Sequence, residues 1–168
     1  MRTSRIALAA AAAAVGLTAL SGCSSTVALE PAPEANDPRC ADVIVRLPET
    51  VSDQTQRQTN AQATAAWGDP ASVLLYCGVE VPTASTTRCI EIDGIFWLVD
   101  EDDAPTYILT TYGREPAVDV IIDTRIVAST PVLVDLKRAV SFTQPNGRAC
   151  TDLEDAQRLD TEQGNTAP

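Results

Sequence analysis

Five thiols and no imidazole define the chemistry open to this 168-residue chain. Without histidine there is no Ser-His-Asp triad, no Cys-His pair and no mixed Cys/His zinc site. A serine–lysine arrangement would have to use Lys137, the one lysine, and the position three residues before it is Val134, so the Ser-x-x-Lys spacing is missing. Neither Gly-x-Ser-x-Gly nor a phosphate-cradling glycine loop occurs. What remains for catalysis is carboxylate chemistry, and among 23 acids nothing in the spacing selects the two that a glycosidase needs. The densest run, Asp100-Glu101-Asp102-Asp103, lacks the spaced acids and central glycine of a calcium loop, so it reads as a solvated connection. No metal and no cofactor is expected.

Cys23 stands apart from the other thiols. Arg2 and Arg5 form a short basic start, and Ile6 to Leu20 run without a charge into Leu20-Ser21-Gly22-Cys23. Fifteen residues as a helix reach about 22 Å, short of the roughly 30 Å hydrocarbon core, so residues 1–22 are predicted to be an export signal rather than a spanning helix. The four residues resemble the lipobox of bacterial lipoproteins. That resemblance implies a diacylglyceryl group on Cys23, which becomes the first mature residue and anchors the chain to the cytoplasmic membrane from its extracytoplasmic side; two acyl chains give stable attachment where one does not.

The remaining cysteines, Cys40, Cys77, Cys89 and Cys150, are even in number and contain no C-x-x-C. In an exported small domain this predicts two disulfides, with a four-cysteine zinc site competing on count alone. Without residues 1–22 the chain carries ten basic against 23 acidic side chains, a formal net charge of −13. Such a field repels phosphate backbones and anionic lipid surfaces, which excludes nucleic acid as a partner and leaves membrane attachment to the acyl chains.

These residues must be positioned by local elements. Residues 23–37, the acylated start followed by a Pro- and Glu-containing stretch, read as a flexible tether that at roughly 3.1 Å per residue lifts the domain about 40 Å. Asp37-Pro38 then caps a helix in which Cys40, Val43, Ile44 and Leu47 share a face, although Val43-Ile44-Val45 also suits a strand. Thr50 to Ala66 is polar and reads as loop. After the turn Trp67-Gly68-Asp69-Pro70, apolar residues alternate from Val73 to Val81, which puts Cys77 on a buried strand face. Asp93-Gly94 predicts a tight hairpin with Ile92 opposite Ile95 and Ile90 opposite Trp97, one continuous strand being the alternative. Thr106–Tyr112 and Ala117–Asp123 form a second hairpin around Gly113-Arg114-Glu115-Pro116. Thr130-Pro131 opens a second helix with the stripe Val132, Leu133, Leu136, Ala139 and Val140. Residues 151–168 are too polar to pack and read as a disordered tail.

Residues 38–150 are therefore expected to form one small α+β domain. Its mainly antiparallel sheet of about five strands lies in hairpins between two flanking helices and carries two disulfides. Cys40 with Cys77 ties the first helix to the first strand and leaves Cys89 with Cys150; Cys77 with Cys89 is the competing pairing. Trp67 and Trp97 invite a sugar-stacking role, but Trp97 shares its face with Ile90 and Val99 and Trp67 sits in a turn that an aromatic plugs, so a core role is favoured for both. Arg114, in a hairpin loop, is the basic contact to watch, with Trp67 as the aromatic one.

The order Cys40, Leu47-Pro48, Ala66-Trp67-Gly68-Asp69-Pro70, Cys77-Gly78-Val79, Asp93-Gly94-Ile95 with Trp97, then Gly113-Arg114 and Pro116 resembles a group of actinobacterial exported proteins catalogued as a domain of unknown function 3515. The resemblance covers roughly Pro38 to Asp123 and implies no activity. The expectation is a non-catalytic binding or scaffold module of the cell envelope whose partner is an envelope protein or glycan. The alternative is an envelope-directed hydrolase or transferase using Asp and Glu side chains.

Overall fold

A computed structural model of the chain describes residues 26–83 and 86–150. Its elements in order are α1 (Pro38–Ile44), β1 (Thr50–Val51), β2 (Gln54–Arg57), β3 (Thr64–Trp67), β4 (Val73–Val79), β5 (Cys89–Ile92), β6 (Ile95–Asp100), β7 (Thr106–Tyr112), β8 (Arg114–Glu115), β9 (Ala117–Asp123), α2 (Ser129–Val140) and β10 (Gln144–Pro145). Eight strands form one sheet in the order β1-β2-β3-β4-β9-β7-β6-β5, and β8 pairs with β10 in a small second sheet. Every pairing is antiparallel. The fold is α+β as expected, but the main sheet has eight strands, not about five.

The three extra strands explain the difference. Residues 50–66, expected as loop, contain β1, β2 and most of β3. β2 lies near the sheet edge with no buried residue, so Gln54-Thr55-Gln56-Arg57 never acquires the apolar alternation that marks a half-buried strand. In β3 all four residues, Thr64 to Trp67, are buried, and a short run covered on both faces likewise shows no period of two.

Where alternation exists, it orients the sheet. Val73, Leu75 and Cys77 of β4 and Val118, Val120 and Ile122 of β9 are fully buried. They face a core that α1 enters with Cys40 and Val43, and α2 with Val132, Leu133, Leu136, Ala139 and Val140. All five members of the α2 stripe are the residues that its periodicity selects. Asp37 caps α1, its carboxylate accepting from the Arg39 N–H at 2.8 Å. α2 begins at Ser129, one residue before the expected cap at Thr130, and its N-cap Ala128 offers no side-chain bond. The Asp93-Gly94 hairpin closes β5 on β6 with Ile92 opposite Ile95 and Ile90 opposite Trp97, both turn residues at positive φ.

Two irregular segments lie beside the other face of the sheet. β4 and β5 are separated by four antiparallel pairings and therefore point the same way, and the described start of the segment after β4, residues 80–83, lines a cleft with Thr110 and Asp119. The chain before α1 is the second. Residues 26–37, expected within the tether, lie against the domain instead. Val27 bridges Thr59 in parallel, its N–H donating to the Gln58 carbonyl at 2.8 Å, and the Glu34 N–H donates to the Gly78 carbonyl at 2.8 Å. Ala35 is buried. Composition suggested a tether because this stretch has few apolar groups; backbone hydrogen bonds, which composition does not register, hold it.

Candidate functional site

The four cysteines pair as Cys40–Cys77 and Cys89–Cys150, each with Cα atoms 5.6 Å apart. The first bridge joins α1 to β4 inside the core, both residues wholly buried. The second fastens the C-terminal end of the described chain to the edge strand β5 and is half-buried. Cys23 lies outside the described residues, as do residues 151–168.

Of the two residues expected to contact a partner, Trp67 is withdrawn from the surface and Arg114 is partly engaged within the domain. Trp67 is fully buried, and its indole N–H donates to the Pro48 carbonyl at 3.1 Å. It is a core side chain, and so is Trp97. Arg114 is half-buried; its Nη1 donates to the Thr143 carbonyl at 2.9 Å, and burial pushes its pKa down. It ties the loop before β9 to the turn that ends α2. In the acidic run, Asp100 accepts from the Asp102 N–H at 2.9 Å and Glu101 pairs with Arg88 at 3.0 Å. Among the described residues no three Cys, Asp or Glu side chains are grouped to hold a metal ion.

The motif blocks do structural work. Gly78 sits in a bulge of β4 at φ +89°, where a Cβ would collide with the Glu34 carbonyl, so Cys-Gly-Val is the place where the disulfide leaves one face and the N-terminal strap docks on the other. At Gly113, φ +76°, a Cβ would meet the Arg148 backbone, and the Asn146 N–H donates to the Gly113 carbonyl at 2.8 Å. In Trp-Gly-Asp-Pro, Arg57 donates to the Gly68 carbonyl at 3.0 Å and to the Asp69 carboxylate at 2.8 Å.

What could carry function lies on the sheet face away from the helices. Asp119, at the middle of β9, has Tyr76 of β4 on one side and Thr110 of β7 on the other. Thr110 Oγ1 donates to its carboxylate at 2.6 Å. Burial raises the Asp119 pKa above the usual carboxylate value, and the Thr110 hydrogen bond offsets only part of that. Tyr76 is also raised, by burial first and then by the charge of Glu30. Beside Asp119 opens a cleft of about 390 Å³ lined by the start of the β4–β5 crossover, residues 79–83, together with Thr110 and Asp119. A second cleft, about 570 Å³, lies by Tyr76 under the strap residues Ala28, Leu29 and Glu30. No basic side chain pairs with Asp119 or Glu80 among the described residues.

Sequence reasoning did not single out Asp119. The available signal was a carboxylate between Val118 and Val120 at mid-strand, where an outward residue is ordinarily solvated. That β9 is a central strand, and that residues 79–83 border a cleft beside it, follow only from the tertiary structure.

Sheet, helices, strap and paired cysteines define a disulfide-stapled α+β domain with one packed and one half-covered sheet face. The chain belongs to the family described as "Protein of unknown function (DUF3515)", whose profile matches residues 5–149. No curated protein and no solved structure matches it.

Proposed function

We propose that this chain is an extracytoplasmic lipoprotein, held on the outer face of the cytoplasmic membrane by a diacylglyceryl group on Cys23, and that its domain is a non-catalytic binding module of the cell envelope. The observation that carries the binding reading is the half-covered sheet face, where a half-buried carboxylate with no basic partner among the described residues borders an open cleft. Concave sites with few, convergent polar groups are where small ligands and extended segments bind.

Docking of the strap changes the geometry of attachment. Four residue steps separate Cys23 from Val27, at most about 14 Å of chain, so an anchored Cys23 holds the domain against the bilayer surface rather than 40 Å above it. The binding face then works at membrane level.

Mass spectrometry of the membrane fraction is expected to find an acylated peptide beginning at Cys23; a soluble mature chain with an unmodified Cys23 overturns the anchor. Proximity labelling in the native membrane tests the module: neighbours lost on filling the cleft by Thr110→Trp support it, and an unchanged set opposes it.

A second reading has one observation in its favour. Glu80 and Asp119 line the same cleft, and two carboxyl groups in one cleft, the Asp119 one raised by burial, are the groups between which hydrolases divide acid and base roles. Turnover of envelope glycan by the purified domain, abolished by both Asp119→Asn and Glu80→Gln, would establish it.

A further inference from the structure

We propose that the Asp119 cleft binds an organic cation, a primary ammonium or guanidinium group carried on a short alkyl stem. The inference deepens the binding-module reading and rests on it. Three observations converge on that chemistry. Asp119 is half-buried at the centre of the sheet, and its one hydrogen-bond partner among the described residues is the Thr110 hydroxyl. An ionised carboxylate offers about four acceptor sites, so most of its capacity is turned to the cleft. Glu80 lines the same space and likewise has no basic partner among the described residues. The walls contributed by Val79, Val81 and Pro82 provide apolar surface for a stem.

Charge decides between ligand classes. Anions are repelled twice, by the two local carboxylates and by a chain with 23 acids and 12 basic residues. A neutral polyol could donate to Asp119 but would leave its charge uncompensated in a partly desolvated site. An ammonium or guanidinium does both, through charge-assisted hydrogen bonds. A calcium ion needs six to eight oxygen ligands, and no group of three acids surrounds the cleft among the described residues. The raised carboxyl pKa fits the same picture: burial without a cation disfavours the ionised form, and a bound cation would restore it.

The test is an amide NMR titration of the mature domain, from Ser24 onward with both disulfides intact, against n-butylammonium, methylguanidinium, n-pentanol, butyrate and calcium. Saturable shifts are expected at Val81, Thr110 and Asp119 with the two organic cations, weakening with added salt and with falling pH. Asp119→Asn, verified as folded by its own amide spectrum, is expected to weaken cation binding at least tenfold, and Thr110→Val by a smaller factor. Equal binding by n-pentanol, equal binding by calcium, or unchanged cation binding in Asp119→Asn overturns the proposal. An envelope glycan that shifts the same amides in the absence of any cation response would overturn the ligand class while preserving the binding module. Silence of the cleft toward cations and glycan alike would remove both.

Discussion

The two faces of one sheet in this protein carry opposite designs. Toward the helices, β4 and β9 present Val73, Leu75, Cys77, Val118, Val120 and Ile122, all fully buried, with a disulfide and two amphipathic helices closing over them. On the reverse, the same strands present Leu74, Tyr76, Asp119 and Ile121, all half-buried, beside the strap and residues 80–83, which belong to no helix or strand. The packed face follows from hydrophobic burial, which is proportional to area and indifferent to direction. The other face is held by a few directional backbone bonds and leaves clefts. Stability is concentrated on one side, and open clefts on the other.

Removing the buried bridge by Cys40→Ala with Cys77→Ala should have the largest effect. The chain-entropy model assigns about 4 kcal/mol to a loop of this length, and loss of the sulfurs opens the core as well. The Cys89–Cys150 bridge has a similar entropic value but is half-buried, so mild reductant followed by alkylation and peptide mapping should open it first. Prior opening of Cys40–Cys77 would contradict the division between the faces.

Leu75→Ala and Leu74→Ala compare the faces at neighbouring positions of one strand. Urea unfolding should show Leu75→Ala destabilising by about 3 kcal/mol and Leu74→Ala by about 1 kcal/mol or less, because its side chain is already partly in water. Equal losses would mean that the strap and residues 80–83 pack as tightly as the helices.

Gly78→Ala sharpens the comparison, since Gly78 belongs to the packed strand but supports the strap. Its positive φ and the Glu34 backbone against it predict a loss of about 1 to 2 kcal/mol, with faster amide exchange at Val27, Glu34 and Ala35 than in the helices. Exchange that rises uniformly would place the strap in the same cooperative unit as the core.

The smallest effect concerns Asp119. Its folded pKa lies above the ordinary value of 3.8 through burial, so the folded state binds this proton more tightly than the unfolded chain does. Stability from this group is therefore fullest in acid and falls as pH rises through that raised value. Asp37 and Asp123, lowered by Arg39 and Arg125, act in the opposite sense and lose their contribution as pH falls through their depressed values. Asp119→Asn should gain stability relative to the parent as pH rises from about 3 and then hold that gain to neutrality. A constant difference across denaturation midpoints would mean that Asp119 titrates as it does in the unfolded chain.

Legibility in the sequence follows the same division. The stripe of α2, the register of the Asp93-Gly94 hairpin and the buried side of β4 were all readable because a periodic apolar pattern or a turn with positive φ leaves a local mark. The cysteine pairing was readable at one remove, since Cys40 and Cys77 each lie on a face that local periodicity had already assigned to the core. β1, β2 and the docking of residues 26–37 were not readable. Their side chains are polar or small, and what holds them is backbone hydrogen bonding to partners elsewhere in the chain. Trp67 looked available as a contact because its sequence neighbours do not reveal that its indole N–H is bonded to the Pro48 carbonyl inside the core.

Taken alone, then, the amino-acid sequence determined the absence of imidazole chemistry, the acidic field, the positions of the helices and hairpins, and the even set of thiols, all of which are properties of residue types or of neighbours along the chain. Tertiary structure alone decided the eight-stranded order, the fate of the strap and the setting of Asp119. Each of these depends on contacts between segments distant in sequence, and a backbone bond made across such a distance leaves no imprint on the composition of either partner.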